Sequence, residues 1–327
     1  MFDTIGSPGL WAAFAVLVVV ALAIDLHVMD RRAEQAVGIG TAAVWSVVWI
    51  ALALAFAGGL WLWLDATAGR EAANTSTAEY LTGYLIEKSL SVDNIFVFLM
   101  LFTYFAVPPE RQRKVLVLGV LGAVVLRIVM ILIGAWLIAR FHWILYVFGL
   151  FLLATGIKMI VFADDKPDLE RNPALRWMRA HLAITADFHG DRFRIARDGK
   201  HWYTPLFVVL VLIGVTDLVF AVDSIPAIFA ITDDPFIVMT SNIFAVLGLR
   251  ALYFVLADLA GRFHLLVYGL GAILVFVGAK MLLVDVYKVP VAVSLAVVGA
   301  ILAAAVLASL WAPPKADRKS LPKQGAG

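Results

Sequence analysis

Nine runs of about 20 predominantly apolar residues, separated by charged or turn-rich breaks, recur along this chain. Hydrocarbon offers backbone amides no partners, so segments of that length must close their hydrogen bonds internally, as helices do. The runs occupy residues 10–28, 44–64, 80–105, 115–139, 143–162, 205–231, 236–259, 265–284 and 291–311. The expected fold class is therefore all-α, a polytopic membrane protein of about nine transmembrane helices. Of the 327 residues only 15% are charged, against about 25% in soluble domains. Cysteine is absent, which excludes disulfides, thiolate metal sites and a cysteine nucleophile. A net charge of +2 gives no reason to expect a nucleic-acid partner.

The basic residues orient the bundle. With the N-terminus outside and the C-terminus inside, inner connections carry 18 Lys and Arg and outer ones three, the bias that fixes topology. The first run has no basic segment before it and is followed by Arg31 and Arg32, so it reads as a retained helix and not as a cleaved signal. Residues 1–311 read as one transmembrane domain that includes a cytosolic loop, 164–203, and residues 312–327 as a flexible basic tail. Within the loop, Leu175, Trp177, Met178 and Leu182 sit at the spacing of an interfacial helix. Residues 192–202 around Asp198-Gly199 read as a hairpin. His181, Asp187, His189 and Asp191 invite comparison with a metal sensor, although a solvated connection is the simpler reading.

An internal repeat organises the middle of the chain. Ser91-Val92-Asp93-Asn94-Ile95 is echoed by Ala221-Val222-Asp223-Ser224-Ile225, with Glu87 and Asp217 each six residues before the shared aspartate. Arg127 corresponds to Arg250, Arg140-Phe141-His142 to Arg262-Phe263-His264, Gly149 to Gly271, and Gly156-x-Lys158-Met159 to Gly278-x-Lys280-Met281. Each unit holds three spans, helices 3–5 and helices 6–8. An odd number of crossings makes the second unit enter from the opposite side, so the repeat is inverted, an architecture that transporters use with the substrate near the bilayer midplane.

Ionisable residues inside the spans default to function, because a carboxylate at the bilayer centre costs at least about 2.5–3.5 kcal/mol unless it is paired or solvated. Glu87, Asp93, Asp217 and Asp223 lie near the middle of their spans. Arg127 and Arg250 are the expected counterions, leaving two net negative charges that one divalent cation would balance. The alternative is a set of structural salt bridges with the remaining acids protonated. Asn94, Ser224 and Asn242 could add neutral oxygens, as could Thr240 and Ser241. An all-oxygen set favours magnesium, calcium or manganese over zinc or copper. Pro226 is expected to break its helix and release the Val222 carbonyl beside Asp223. Lys158 and Lys280 are expected to snorkel, Lys88 remains open, and Asp25 at the end of the first span reads as a gate, a second ion site or a plain interfacial group. No nucleotide, haem or metalloprotease fingerprint is present, so no resident cofactor is expected and the energy must come from an ion gradient or from the cation's own gradient.

These residues carry a resemblance. Gly83 to Phe98, Phe105 to Glu110, Arg140 to Gly149, Thr155 to Met159, Phe188 to Phe193, Thr216 to Thr232 and Thr240 to Phe254 resemble segments of the TerC/Alx family of integral membrane proteins. The resemblance covers nearly the whole chain, and Glu87, Asp93, Asp217 and Asp223 match the family's acidic positions. It implies manganese efflux across the bacterial inner membrane and a link to tellurium resistance. The chain departs from the pattern at Gly214, where many relatives carry glutamate, and after Asp25-Leu26. The expected function is a secondary transporter exporting Mn²⁺, with protons as the coupling ion and Ca²⁺ as the competing substrate. A non-transporting membrane scaffold for protein assembly or tellurite resistance is the alternative. Oligomeric state is not readable from these residues.

Overall fold

Helix starts are written locally in this sequence. Proline stands at the first helical position of α4 (Pro109–Arg140), α6 (Pro173–His181), α7 (Pro205–Phe229) and α8 (Pro235–Val246), where its missing N–H costs nothing. Asn172 caps α6 and Asp234 caps α8, each carboxyl or amide oxygen accepting two backbone N–H groups. The remaining helices are α1 (Pro8–Arg31), α2 (Ile39–Thr67), α3 (Arg70–Tyr104), α5 (Ile144–Val161), α9 (Leu249–Leu259), α10 (Leu266–Leu282) and α11 (Val291–Trp311). The structure is a computed structural model and describes residues 4–31, 39–141, 143–163, 170, 172–197, 200–259, 265–287 and 289–311. His142, Arg262 to His264, the 198–199 turn and the tail 312–327 lie outside the described residues, as do the side chains of His27 and Asp93.

Every expected span corresponds to a helix or a pair of helices, and the all-α polytopic class holds. Among the described residues six helices are long and apolar enough to cross a membrane, and the pair α8 and α9 makes a seventh. Of the other two expected spans, α10 is shorter, at 17 residues, and α3 carries Arg70, Glu71, Glu79, Glu87, Lys88 and Asp93. At 35 residues, α3 is about 52 Å long, well beyond a hydrocarbon core of about 30 Å.

The inverted repeat is visible in how the helices cross. Helix α5 packs along α10, and α3 and α7 pack on each other while α3 also meets α8 and α7 meets α4. A Cβ on Gly149 would fall 3.1 Å from the Gly278 carbonyl oxygen, and one on Gly156 would fall 2.7 Å from that of Gly271. The two contacts run in opposite directions along the two helices. They also exchange under the repeat, since Gly149 maps to Gly271 and Gly278 maps back to Gly156. A pseudo-two-fold axis therefore passes between these contacts. Small residues permit this backbone approach where lipid supplies no hydrophobic drive.

One expectation fails. Helix α7 runs through Pro226 without interruption, because a proline removes one hydrogen bond and can be carried by the turns on either side. The break lies instead between α8 and α9, which bend by 42°. Gly248 there has φ +78° and packs where a Cβ would come 2.4 Å from Trp49, so only glycine fits. Lys88 closes the break from α3, its Nζ donating to the carbonyls of Ala245 at 3.1 Å and Leu247 at 3.3 Å. A cation at a helix C-terminus also meets the negative end of the dipole.

The described part of the segment after α5 contains the expected short helix and hairpin. Helix α6 buries Leu175 and Met178 against α7, so its apolar face meets protein, and Trp177 is left exposed and stacked on His181. Strands β1 (Arg194–Arg197) and β2 (Lys200–Tyr203) form the hairpin.

Candidate functional site

Glu87 on α3, Arg127 on α4, Asp217 on α7 and Asn242 on α8 converge in the interior, each nearly or wholly buried. The Arg127 guanidinium is the hub. Its Nη1 contacts Glu87 Oε1 and donates to Asn242 Oδ1 at 2.7 Å, and its Nη2 lies 3.7 Å from Asp217 Oδ1. From α3, Asn94 Nδ2 donates to the same Asp217 oxygen at 3.4 Å. A planar fork is suited to several acceptors at once, and helices from both repeats are tied together through it.

Beside this hub a cavity of about 320 Å³ is lined by Asn94, Arg127, Thr155, Lys158, Asp223 and Ser224 among others. Phe162, Ala163 and Val267 also line it, so it reaches the end of the bundle where α5 ends and α10 begins, the end that carries α6 and the hairpin. Thr155 donates to Asp223 Oδ1 at 3.3 Å. Among the described residues, Glu87 Oε2, Asp217 Oδ2, Asn94 Oδ1, Ser91 Oγ and Ser224 Oγ are buried without a hydrogen-bond partner. A concentration of orphaned oxygens demands an explanation, and a hard cation takes such ligands.

The expected set is thus only partly brought together. Glu87, Asp217, Asn94, Asn242 and Arg127 form one cluster, and Asp223 and Ser224 share the cavity with Asn94 and Arg127. Asp93 sits on α3 with its side chain outside the described residues. Thr240 and Ser241 donate back to carbonyls of their own helix. Arg250 is a correction: it is not a counterion to the central acids, but donates from Nε to Asp25 Oδ2 at 2.9 Å and from Nη2 to the Asp25 carbonyl. The reason is the α8–α9 bend, which turns Arg250 toward α1 while its repeat mate Arg127 stays on an unbroken helix. Asp25 is accordingly one half of a buried ion pair.

Among the described residues no three carboxylate or imidazole side chains stand close enough to form a ready metal site. This applies to the loop histidines as well. His181 bonds to the Trp177 carbonyl and His189 to that of Asp187. Sequence reasoning missed Thr155 and Lys158 as cavity residues. The signal was present in Thr155-Gly156-x-Lys158, where Gly156 marks the helix face that packs most closely.

The "Integral membrane protein TerC family" profile matches residues 72–317. The chain is 52% identical over 317 residues to an Escherichia coli (strain K12) protein named "Putative membrane-bound redox modulator Alx", covering 97% of this chain and 99% of that one. A protein of the same name from Photorhabdus laumondii is 52% identical over 309 residues, 94% of this chain and 97% of that one. The "Uncharacterized membrane protein STKORF319" of Myxococcus xanthus is 45% identical over 309 residues, 94% of either chain. No solved structure matches.

Proposed function

The chain belongs to the TerC family of integral membrane proteins, and on that premise we propose that it is a secondary transporter exporting Mn²⁺ across the bacterial inner membrane in exchange for protons. The observation that carries this reading is the meeting of Asp223 with the unpartnered oxygens of Asn94 and Ser224 in a cavity that reaches one end of the bundle. The carboxylate, amide and hydroxyl oxygens that line the cavity outnumber its one thioether, Met159, and such oxygen donors suit manganese, magnesium or calcium.

In this reading the ion enters from the end of the bundle where α5 ends and exchanges water for Asp223 and its neutral neighbours. Arg127 meanwhile offsets one of the two charges of Glu87 and Asp217, and the rest of the negative charge is presented to the cavity. Rocking of the two inverted repeats about their shared axis then exposes the ion to the other side. The N-terminus is outside, and α6 with the hairpin is cytoplasmic.

A membrane-bound redox role, suggested by the relatives' name, is the second reading. The chain has no cysteine, so its own side chains offer no thiol–disulfide couple, and a redox role would need a metal or cofactor as electron carrier. Manganese content measured in cells with and without expression separates the two readings. Export lowers the content, and Asp93→Asn or Asp223→Asn at equal membrane levels abolishes the difference. Identical content in expressing and non-expressing cells refutes the transport reading.

A further inference from the structure

The central charges no longer balance once Arg250 is committed to Asp25. Glu87, Asp93, Asp217 and Asp223 carry four formal negative charges; Lys88 is held on the carbonyls of Ala245 and Leu247, and Arg127 leaves three when no ion is bound. The cavity contains a further cation that can offset one of them in that state. Lys158, three residues beyond Thr155 on α5, lines the same space as Asp223, Asn94 and Ser224. Positions three apart on a helix share a face, so the residue that bonds to Asp223 and the residue that can neutralise it arrive together.

We propose that Lys158 is a tethered cation that competes with the transported divalent ion for Asp223. Lys158 is exposed as well as lining the cavity, and its four-carbon stem lets its ammonium move between Asp223 and the membrane interface. When the ion arrives, the ammonium withdraws along its stem. When the ion must leave, the ammonium returns, so release does not require a bare carboxylate in low dielectric. An Arg at this place would be harder to displace, because its planar fork holds carboxylates in two-point contact.

The second repeat places its lysine differently. Lys280, the mate of Lys158, lies within electrostatic reach of Glu79 on α3, a lysine from the third helix of one unit again facing an acid on the first helix of the other, but at a position 14 residues before Asp93, the mate of Asp223. Snorkelling alone would give the two lysines no reason to face acids across the repeat interface.

The proposal rests on the transport reading, and the test separates the two. Purified protein is reconstituted into liposomes, and Mn²⁺ uptake is measured over a range of Mn²⁺ concentrations at the cavity side for wild type, Lys158→Gln, Lys158→Met and Lys158→Arg. A competing cation, once removed, lets Mn²⁺ bind more tightly and leave more slowly. KM in Lys158→Gln and Lys158→Met should therefore fall on the order of tenfold, the effect of removing one charge from a poorly screened cavity, with kcat falling as well. Lys158→Arg, being harder to displace, should raise KM by about threefold or more over wild type. A structural role would lower kcat with KM unchanged or raised, and that result in either neutral variant overturns the proposal. Absence of uptake by the wild type overturns the transport reading, and this proposal with it.

Discussion

Removing the Arg127 side chain should cost more stability than any other single truncation in the central cluster. At 3.7 Å from Asp217, and with an effective dielectric of about 20, the attraction to that carboxylate alone is about 4.5 kcal/mol. The contact with Glu87 and the hydrogen bond to Asn242 are lost with it. Because both acids would remain buried without their counterion, we expect Arg127→Ala to destabilise by about 3–5 kcal/mol. At about 2 °C per kcal/mol for a chain of this size, the melting midpoint in detergent should drop by about 6–10 °C. Arg127→Lys keeps the charge but not the fork and should lose about half as much. The diagnostic variant is the double Arg127→Ala/Glu87→Gln, which removes one stranded charge and should recover about half of the single-variant loss. If Arg127→Ala melts within 1 °C of wild type (about the reproducibility of such a scan, under 1 kcal/mol), or if the double is simply additive, the guanidinium is not the hub of the site.

The α5–α10 crossing gives a second prediction: Gly156→Ala puts a methyl 2.7 Å from the Gly271 oxygen and 2.8 Å from the Val275 nitrogen, backbone that cannot swing away, and should cost about 1–3 kcal/mol in the same melting assay. Lys88→Met strips the break between α8 and α9 of both its hydrogen bonds and should lower stability by about 1.5–3 kcal/mol for each carbonyl left bare; a variant as stable as wild type would show that water satisfies those carbonyls instead. Because the chain has no cysteine, Ala180→Cys and Asp233→Cys can be labelled singly in intact cells with an impermeant thiol reagent. Position 233 should react and position 180 should not, and the reverse pattern would invert the orientation.

Much of the architecture was legible because charges are rare in apolar helices and each one is informative. The echo of Glu87 and Asp93 in Asp217 and Asp223 exposed the repeat, and an odd number of spans per unit dictated its inversion. Gly149, Gly156, Gly271 and Gly278 were legible as repeat positions, and the packing places all four at the α5–α10 crossing. Proline and Asn or Asp at helix starts act through the local backbone, and α7 and α8 begin within one residue of the expected spans, whereas α4 begins at Pro109, six residues before the apolar run that marked it.

What each charge faces was decided only by the packing. Helices such as α2 and α4 are apolar nearly all round, because lipid and protein interior are both apolar, so hydrophobic periodicity does not say which way they are rotated. Arg127 and Arg250 occupy equivalent places in the repeat, yet one binds Glu87 beside Asp217 and the other binds Asp25. The difference arises at Gly248, where one left-handed residue bends α8 from α9, while Pro226, the stronger breaker by sequence, is carried inside a continuous helix. Lys158 likewise looked like an interfacial anchor until the α5–α10 crossing set its helix face against Asp223. Composition and periodicity reach only as far as each helix by itself; the rotation of one helix against the next is fixed by side chains from many parts of the chain at once, and that is where this site is made.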